Sequence, residues 1–242
     1  MAYSVMSDYD RFCKHYDAVM RDPKQKAVFL KSLIKKRNPS ATTLLELACG
    51  TGAVLQYFAD DFEIFGLDLS AGMLSVARKR LPRVPLSRQD MRKFAIPRSF
   101  DTIVCVYDSI NHLPKFNDWC KVFARVKHHL NERGVFIFDV NTEYRLKSLA
   151  ESPVWFQEFE RNYLAMSVQG KPDGLTNWNI KVFENLGGDK YRLYQENIQE
   201  KAFPAVKIKV ALRRYFRRVD ALDPEGGTPK GKTSRIFFVC QN

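Results

Sequence analysis

Two acids set the chemistry that this chain can do. Glu46 lies near the end of one short apolar run, Leu44–Leu47, Asp68 ends another, Ile64–Asp68, and the two lie 68 − 46 = 22 residues apart. Between them the chain turns through Gly50 and Gly52. Continuous apolarity in a short run bounded by glycines predicts a strand buried on both faces of a parallel sheet. A carboxylate at the end of such a strand needs a partner, or a ligand that brings one. Glycines that lack a Cβ let the backbone turn sharply and approach that ligand. In a strand–turn–helix–strand unit, an acid about 20 residues on reaches the ribose of a bound nucleoside. Each charge-assisted bond it accepts contributes about 1.5–3 kcal/mol.

A dinucleotide fingerprint would require a third glycine at position 55, which is Leu55. The stretch Glu46-Leu-Ala-Cys-Gly-Thr-Gly52 instead resembles the first motif of class I S-adenosylmethionine-dependent methyltransferases, with Ala48 where that family usually has glycine. Gly66-Leu-Asp-Leu-Ser70 with Met73, Gln89-Asp-Met91 and the run Asp101–Leu113 extend the resemblance over roughly residues 40–140. It implies S-adenosylmethionine as cofactor, held by Glu46, Ala48, Gly50, Gly52, Asp68, Leu69, Met73 and Tyr107, with Asp90 near the adenine amine and Met91 beside the ring. A carboxylate can accept from that amine. The pair Tyr16-Asp17 resembles the N-terminal segment that folds over the cofactor in several small-molecule methyltransferases, which makes Tyr16 a candidate for both cofactor contact and catalysis.

Methyl transfer from a sulfonium requires donor and nucleophile at near-attack distance, and the nucleophile's lone pair free. His112 follows the fourth strand in Tyr107-Asp-Ser-Ile-Asn-His-Leu113, a segment similar to the matching loop of glycine-type and amino-sugar N-methyltransferases. An imidazole near its ordinary pKa of about 6.5 can take a proton from an ammonium. A helix cap or a bond to a backbone carbonyl is the other role open to His112. Asp108 and Asp139 are alternative orienters of the acceptor. No metal is expected: His128 and His129 are adjacent on a predicted helix and face different ways.

With 242 residues the chain predicts one methyltransferase domain carrying an insertion. Met1–Arg21 is too charged for a secretory signal and no apolar run is long enough to span a bilayer, so a cytoplasmic protein is expected. Five cysteines without a C-x-x-C pair fit a reducing compartment. A net charge of +12 favours anions, including nucleic acid or an anionic substrate. The bases are scattered, however, through 31–37, 78–80 and 213–218, as on solvated helix faces.

The periodicity predicts helices over 24–36, 71–81, 116–130 and 205–214 and strands over 44–47, 64–68, 85–90, 100–106, 135–140, 215–221 and 234–240, with the run 54–59 following the glycine turn as the first crossover. The fold class is α/β, a doubly wound seven-stranded, mostly parallel, Rossmann-like sheet with an antiparallel last strand. Three strand-like runs, 161–169, 175–183 and 190–203, predict a small antiparallel β insertion over residues 146–203 that roofs the active site. The function expected is methyl transfer to a small molecule, at an amine, by a monomer or homodimer. An RNA or protein methyltransferase and a non-catalytic cofactor-binding module are the alternatives.

Overall fold

The structure is a computed structural model that describes residues 9–10, 12–20 and 22–242; the expectation for Met1–Arg21 falls in part outside the described residues. Helix α1 (Tyr16–Val19) and helix α2 (Lys24–Arg37) precede strand β1 (Thr43–Leu47). Then come β2 (Glu63–Asp68), α3 (Ala71–Arg80), β3 (Leu86–Arg88), β4 (Phe100–Cys105), α4 (Phe116–His129) and β5 (Leu130–Asn141). The chain closes with α6 (Ala205–Leu212), β10 (Arg218–Leu222) and β11 (Arg235–Gln241). These seven strands form one sheet in the order β10-β11-β5-β4-β1-β2-β3. β11 runs antiparallel to both β5 and β10, and the other pairs are parallel. β1 lies between β2 and β4, so the carboxyl ends of β1, β2 and β4 gather where the order reverses, the place where such sheets bind ligands.

Burial follows the apolar runs. Leu44, Leu45 and Leu47 on β1 and Ile103 and Val104 on β4 are inaccessible, covered on one face by α4 and α6 and on the other by α2 and α3. Cys49, Cys105 and Cys240 pack among them as small apolar groups. Ser70 caps α3, its hydroxyl accepting the Met73 amide at 3.0 Å.

Three expectations change. The run 54–59 forms only a 3-10 turn, Leu55–Phe58, because four residues are left before β2 begins. The residues 131–134 belong to β5, which starts at Leu130 and absorbs them as a register shift against β4. A helix, α5 (Glu143–Ala150), starts at the Thr142 cap and runs across residue 146, and a further edge strand, β6 (Trp155–Phe159), precedes the three that the pattern predicts.

Those three are β7 (Asn162–Gly170), β8 (Leu175–Asn185) and β9 (Tyr191–Lys201). With β6 they make a second, wholly antiparallel sheet, β6-β7-β8-β9. Its inward face carries Leu164, Ile180, Val182 and Ile198, which close over Phe12 and Tyr16 of the N-terminal segment. Among the described residues no helix is long and apolar enough to cross a membrane.

Candidate active site

Three cavities meet at the carboxyl ends of the parallel strands. The first, about 300 Å³, is walled by Asp68, Leu69, Met73, Asp90, Met91 and His112. The second, about 630 Å³, lies under the antiparallel sheet, with Trp178 and Ile180 above and Asp108, Asn141, Glu200 and Arg235 below. The third, about 280 Å³, is lined by Glu46, Gly50, Thr51 and Arg80. Tyr16 and Tyr107 line all three, so both rings stand at the junction.

The glycine turn is built to let something close. Gly50 adopts φ +53°, and a Cβ there would point into open space. Gly52 lines none of the three cavities. It is glycine because its φ is +73° and a Cβ would press to 3.0 Å from Leu81 Cδ1. Ala48 also has positive φ, +52°, which costs an alanine about 1–2 kcal/mol. Asp68 braces the turn: its carboxylate accepts the amides of Gly50 and Ser70, both at 2.8 Å. Burial nevertheless raises its pKa. Glu46 is 2 % exposed, and its Oε2 has no hydrogen-bond partner among the described residues. Burial, then the nearby Asp68, pushes its carboxyl well above the usual carboxylate range. A buried acceptor left without a donor costs about 1–3 kcal/mol, so a ligand donor in the third cavity would offset it.

Asp90 has partners already. Arg92 grips it with its backbone amide and guanidinium. Burial pushes the Asp90 carboxyl up, but those bonds outweigh it and hold it below the usual range. A carboxylate so held still has lone pairs facing the first cavity.

The N-terminal segment is fastened across both sheets. Asp10 accepts from Ser70 Oγ and from the Gly72 amide. A Cβ on Gly72 would come within 2.8 Å of the Asp10 carbonyl, so the glycine is what admits the segment. Asp17 ties α1 to the glycine turn through Arg80 at 2.6 Å and Thr51 Oγ1 at 2.6 Å. In the pair Tyr16-Asp17, then, the aspartate is the latch and the tyrosine faces the cavities. Burial, then Asp108, raises the Tyr16 phenol well above its ordinary value and keeps it protonated.

His112 sits at the end of a 3-10 turn, Ser109–His112, and lines the first cavity but not the second. Its Nδ1 faces the Gln199 carbonyl at 3.2 Å and so carries the proton; its Nε2 then accepts from the Tyr9 hydroxyl at 3.2 Å. The lone pair that a base would use is thus engaged by Tyr9, and Tyr9 lines both cavities.

Tyr107 and Asp108 have successive left-handed backbones, φ +57° and +51°. Such strain gathers at functional sites. It turns the Tyr107 ring under Lys26, whose Nζ stands 3.6 Å from the ring centroid, and sends Asp108 to Arg235 at 2.6 Å. Arg235 also bonds Asp139, which Lys26 reaches from the other side at 3.2 Å. Burial pushes Asp139 up, but Arg235 and then Lys26 outweigh it and hold it below the usual range. Asp139 is therefore the anchor of a buried ion network rather than a group facing an acceptor. Sequence reading missed Arg235, Lys26 and Glu200, all at this level.

Floor carboxylates, an open glycine cradle and a second chamber under the antiparallel sheet leave room for two ligands side by side. Comparison with known proteins narrows the class of protein. The methyltransferase domain family matches residues 44–134. The chain is 35% identical over 147 residues to dTDP-3-amino-3,6-dideoxy-alpha-D-glucopyranose N,N-dimethyltransferase of Streptomyces fradiae, a match covering 60% of this chain and 52% of that one, so it spans about half of that relative's length. It is 36% identical over 232 residues to trans-aconitate 2-methyltransferase of Acidovorax sp., covering 85% of this chain and 86% of that protein. A solved S-adenosylmethionine-dependent methyltransferase of Clostridium acetobutylicum superposes with a TM-score of 0.86 at 28% identity, covering 97% of this chain and 99% of that one. The chain belongs to the class I S-adenosylmethionine-dependent methyltransferases.

Proposed function

We propose that this protein transfers a methyl group from S-adenosylmethionine to the nitrogen of a small amine. The observation that carries the reading is the junction of three cavities at Tyr16 and Tyr107, one of them lying under the antiparallel sheet. We take that sheet as a roof over the acceptor, which suits a small molecule better than a polymer. The relative that methylates an amino sugar supports nitrogen as the acceptor atom.

The residues fit the cofactor. Asp68 would accept from the ribose, Asp90 and Met91 would meet the adenine, Leu69 and Met73 would complete that wall, and Gly50 with the unpartnered Glu46 would take the amino-acid end. When bound, the cofactor supplies an electrophilic methyl on a sulfonium. The chain's part is to hold the acceptor, exclude water and keep a lone pair free; positioning of this kind can lower a barrier by about 7–11 kcal/mol. Tyr16 shields the junction as a neutral phenol. His112 fixes the Tyr9 hydroxyl rather than facing the acceptor itself.

A second reading is methylation of a carboxylate oxygen. It is favoured by the trans-aconitate relative and by Arg145 and Arg235 in the acceptor cavity. The basic charge lends less to a nucleic-acid reading, because several of its members are engaged: Arg37 with Asp220, Arg80 with Asp17 and Lys31 with Asp61. Methyl-labelled cofactor mixed with a fractionated metabolite extract tests the proposal. A labelled product that resists alkali, with a mass one or two methyl groups above an amine, is expected. An alkali-labile ester, or label in RNA, would overturn it.

A further inference from the structure

Three acids, Asp108, Asp139 and Glu200, gather at the floor of the acceptor cavity. Arg235, which lines it, and Lys26, which shares Asp139 with Arg235, are half-buried cations, and both are engaged: Arg235 by Asp108 and Asp139, Lys26 by Asp139. The third acid, Glu200 of β9, is 3 % exposed and has no ion-pair partner among the described residues. Its Oε2 accepts the Asn141 side-chain amide at 3.0 Å, its carboxyl also hydrogen-bonds the Asp108 carboxyl, and Arg235 acts on it only through space. Arg145 also lines the cavity but is exposed to solvent. Above this floor the walls are apolar, from Ile180, Ile198, Leu164, Met166 and the Trp178 ring, apart from the Trp178 indole N–H, which has no partner among the described residues. A buried carboxylate without a cation is costly unless a ligand supplies one.

Resting on the reading of an amine acceptor, we propose that the acceptor enters this cavity as an ammonium ion with an apolar body, and that Glu200 receives the ammonium group and its proton. The transfer balances: an N–H bond of the ammonium breaks, an O–H bond forms on a Glu200 carboxylate oxygen, and cation and anion become two neutral groups. The nitrogen is left with a free lone pair. Burial, then Asp108, pushes the Glu200 carboxyl well above the usual range, which makes its anion a stronger base. The titratable and charged groups facing it are Asp108 after β4, Asp139 of β5, Arg235 of β11, Lys26 of α2, Arg145 of α5, Tyr9 and Tyr16 of the N-terminal segment and Glu196 on its own strand.

Cyclohexylammonium and its neutral counterpart cyclohexanol serve as probes, titrated calorimetrically into the full protein saturated with S-adenosylhomocysteine, between pH 6 and 9. Wild type should bind the ammonium at least tenfold more tightly than the alcohol, with the preference growing as pH rises and Glu200 ionises. Glu200→Gln keeps the shape and one acceptor. It should reduce the preference to within twofold and flatten its pH dependence, leaving S-adenosylhomocysteine affinity unchanged. Glu200→Asp, which withdraws the carboxylate by one methylene, should give an intermediate loss and guards against a folding defect in the first variant. Absence of any preference in wild type, or its survival in Glu200→Gln, would overturn the proposal. If label transfer goes to oxygen while the preference stands, the amine reading fails and the ammonium site does not.

Discussion

The two chambers on either side of Tyr16 and Tyr107 are built by different rules. The side proposed for the cofactor is assembled from the ends of parallel strands and one glycine turn, so its acids lie at the C-termini of β1 and β2 or just past β3, and their spacing is set by the crossover. The side proposed for the acceptor is assembled from single residues of distant segments: Tyr9, Asp108, Asn141, Glu200 and Arg235. The first kind of site is written in a local motif. The second exists only once two sheets have closed on each other. Its charges are held by one another, whereas Asp68 is held by backbone amides and Glu46 keeps an oxygen without a partner among the described residues.

That contrast can be broken at several points. The largest effect should come from Arg235→Leu, which strands Asp108 and leaves Asp139 to Lys26 alone. Breaking a buried pair in this way costs about 3–5 kcal/mol, measurable by urea unfolding. A loss below 1 kcal/mol would mean the acceptor floor is not the interlocked unit described. Next, Asp68→Ala should weaken S-adenosylmethionine binding by about 1.5–3 kcal/mol, ten- to hundredfold, by calorimetry on the folded variant. Unchanged affinity would remove the nucleoside from the first cavity.

Glu46→Met sharpens the comparison by moving stability and binding in opposite directions. Removing a buried carboxylate with an unpartnered oxygen should stabilise the free protein by about 1–3 kcal/mol at pH 8 while weakening cofactor binding. The sign with pH follows from the raised pKa. The folded state holds the proton more tightly than the unfolded one, so Glu46 favours folding least once pH exceeds its folded pKa. The gain in the variant should therefore shrink as pH falls toward 5. A gain independent of pH would show that Glu46 is not the group titrating. Smallest, Ala48→Gly should add about 0.5–1 kcal/mol by relieving the left-handed backbone, read as a rise in thermal midpoint. A destabilised variant would mean that Ala48 bears no strain.

The same division decides what the sequence could tell. Glu46, Gly50 and Asp68 were legible because a buried strand cannot tolerate an acid without cause, and because the interval to the next acid is fixed by geometry. Gly52 shares the motif but serves packing, a difference that spacing does not encode. His112 was singled out for its chemistry, yet its lone pair depends on Tyr9, 103 residues away. Glu200 was overlooked because alternating strands are read as acids outward. In β9, however, Glu196, Ile198 and Glu200 share one parity, and all three are buried. Two acids in phase with a core isoleucine were the available signal. Edge strand β6 lacked one: it follows Ser152-Pro153, its Trp155 and Phe156 stay exposed, and only its last residue is buried.

Gly72 and the aspartates at 10 and 17 bear on how the molecule may be cut. A chain that began at Lys24 would keep both sheets and nearly all of the large core, and it could pass tests of folding. It would nevertheless lack Tyr9 and Tyr16, and with them a wall of every cavity, while leaving Arg80 without its carboxylate. Integrity of the fold and integrity of the chambers are therefore separate properties here, held by different parts of the chain.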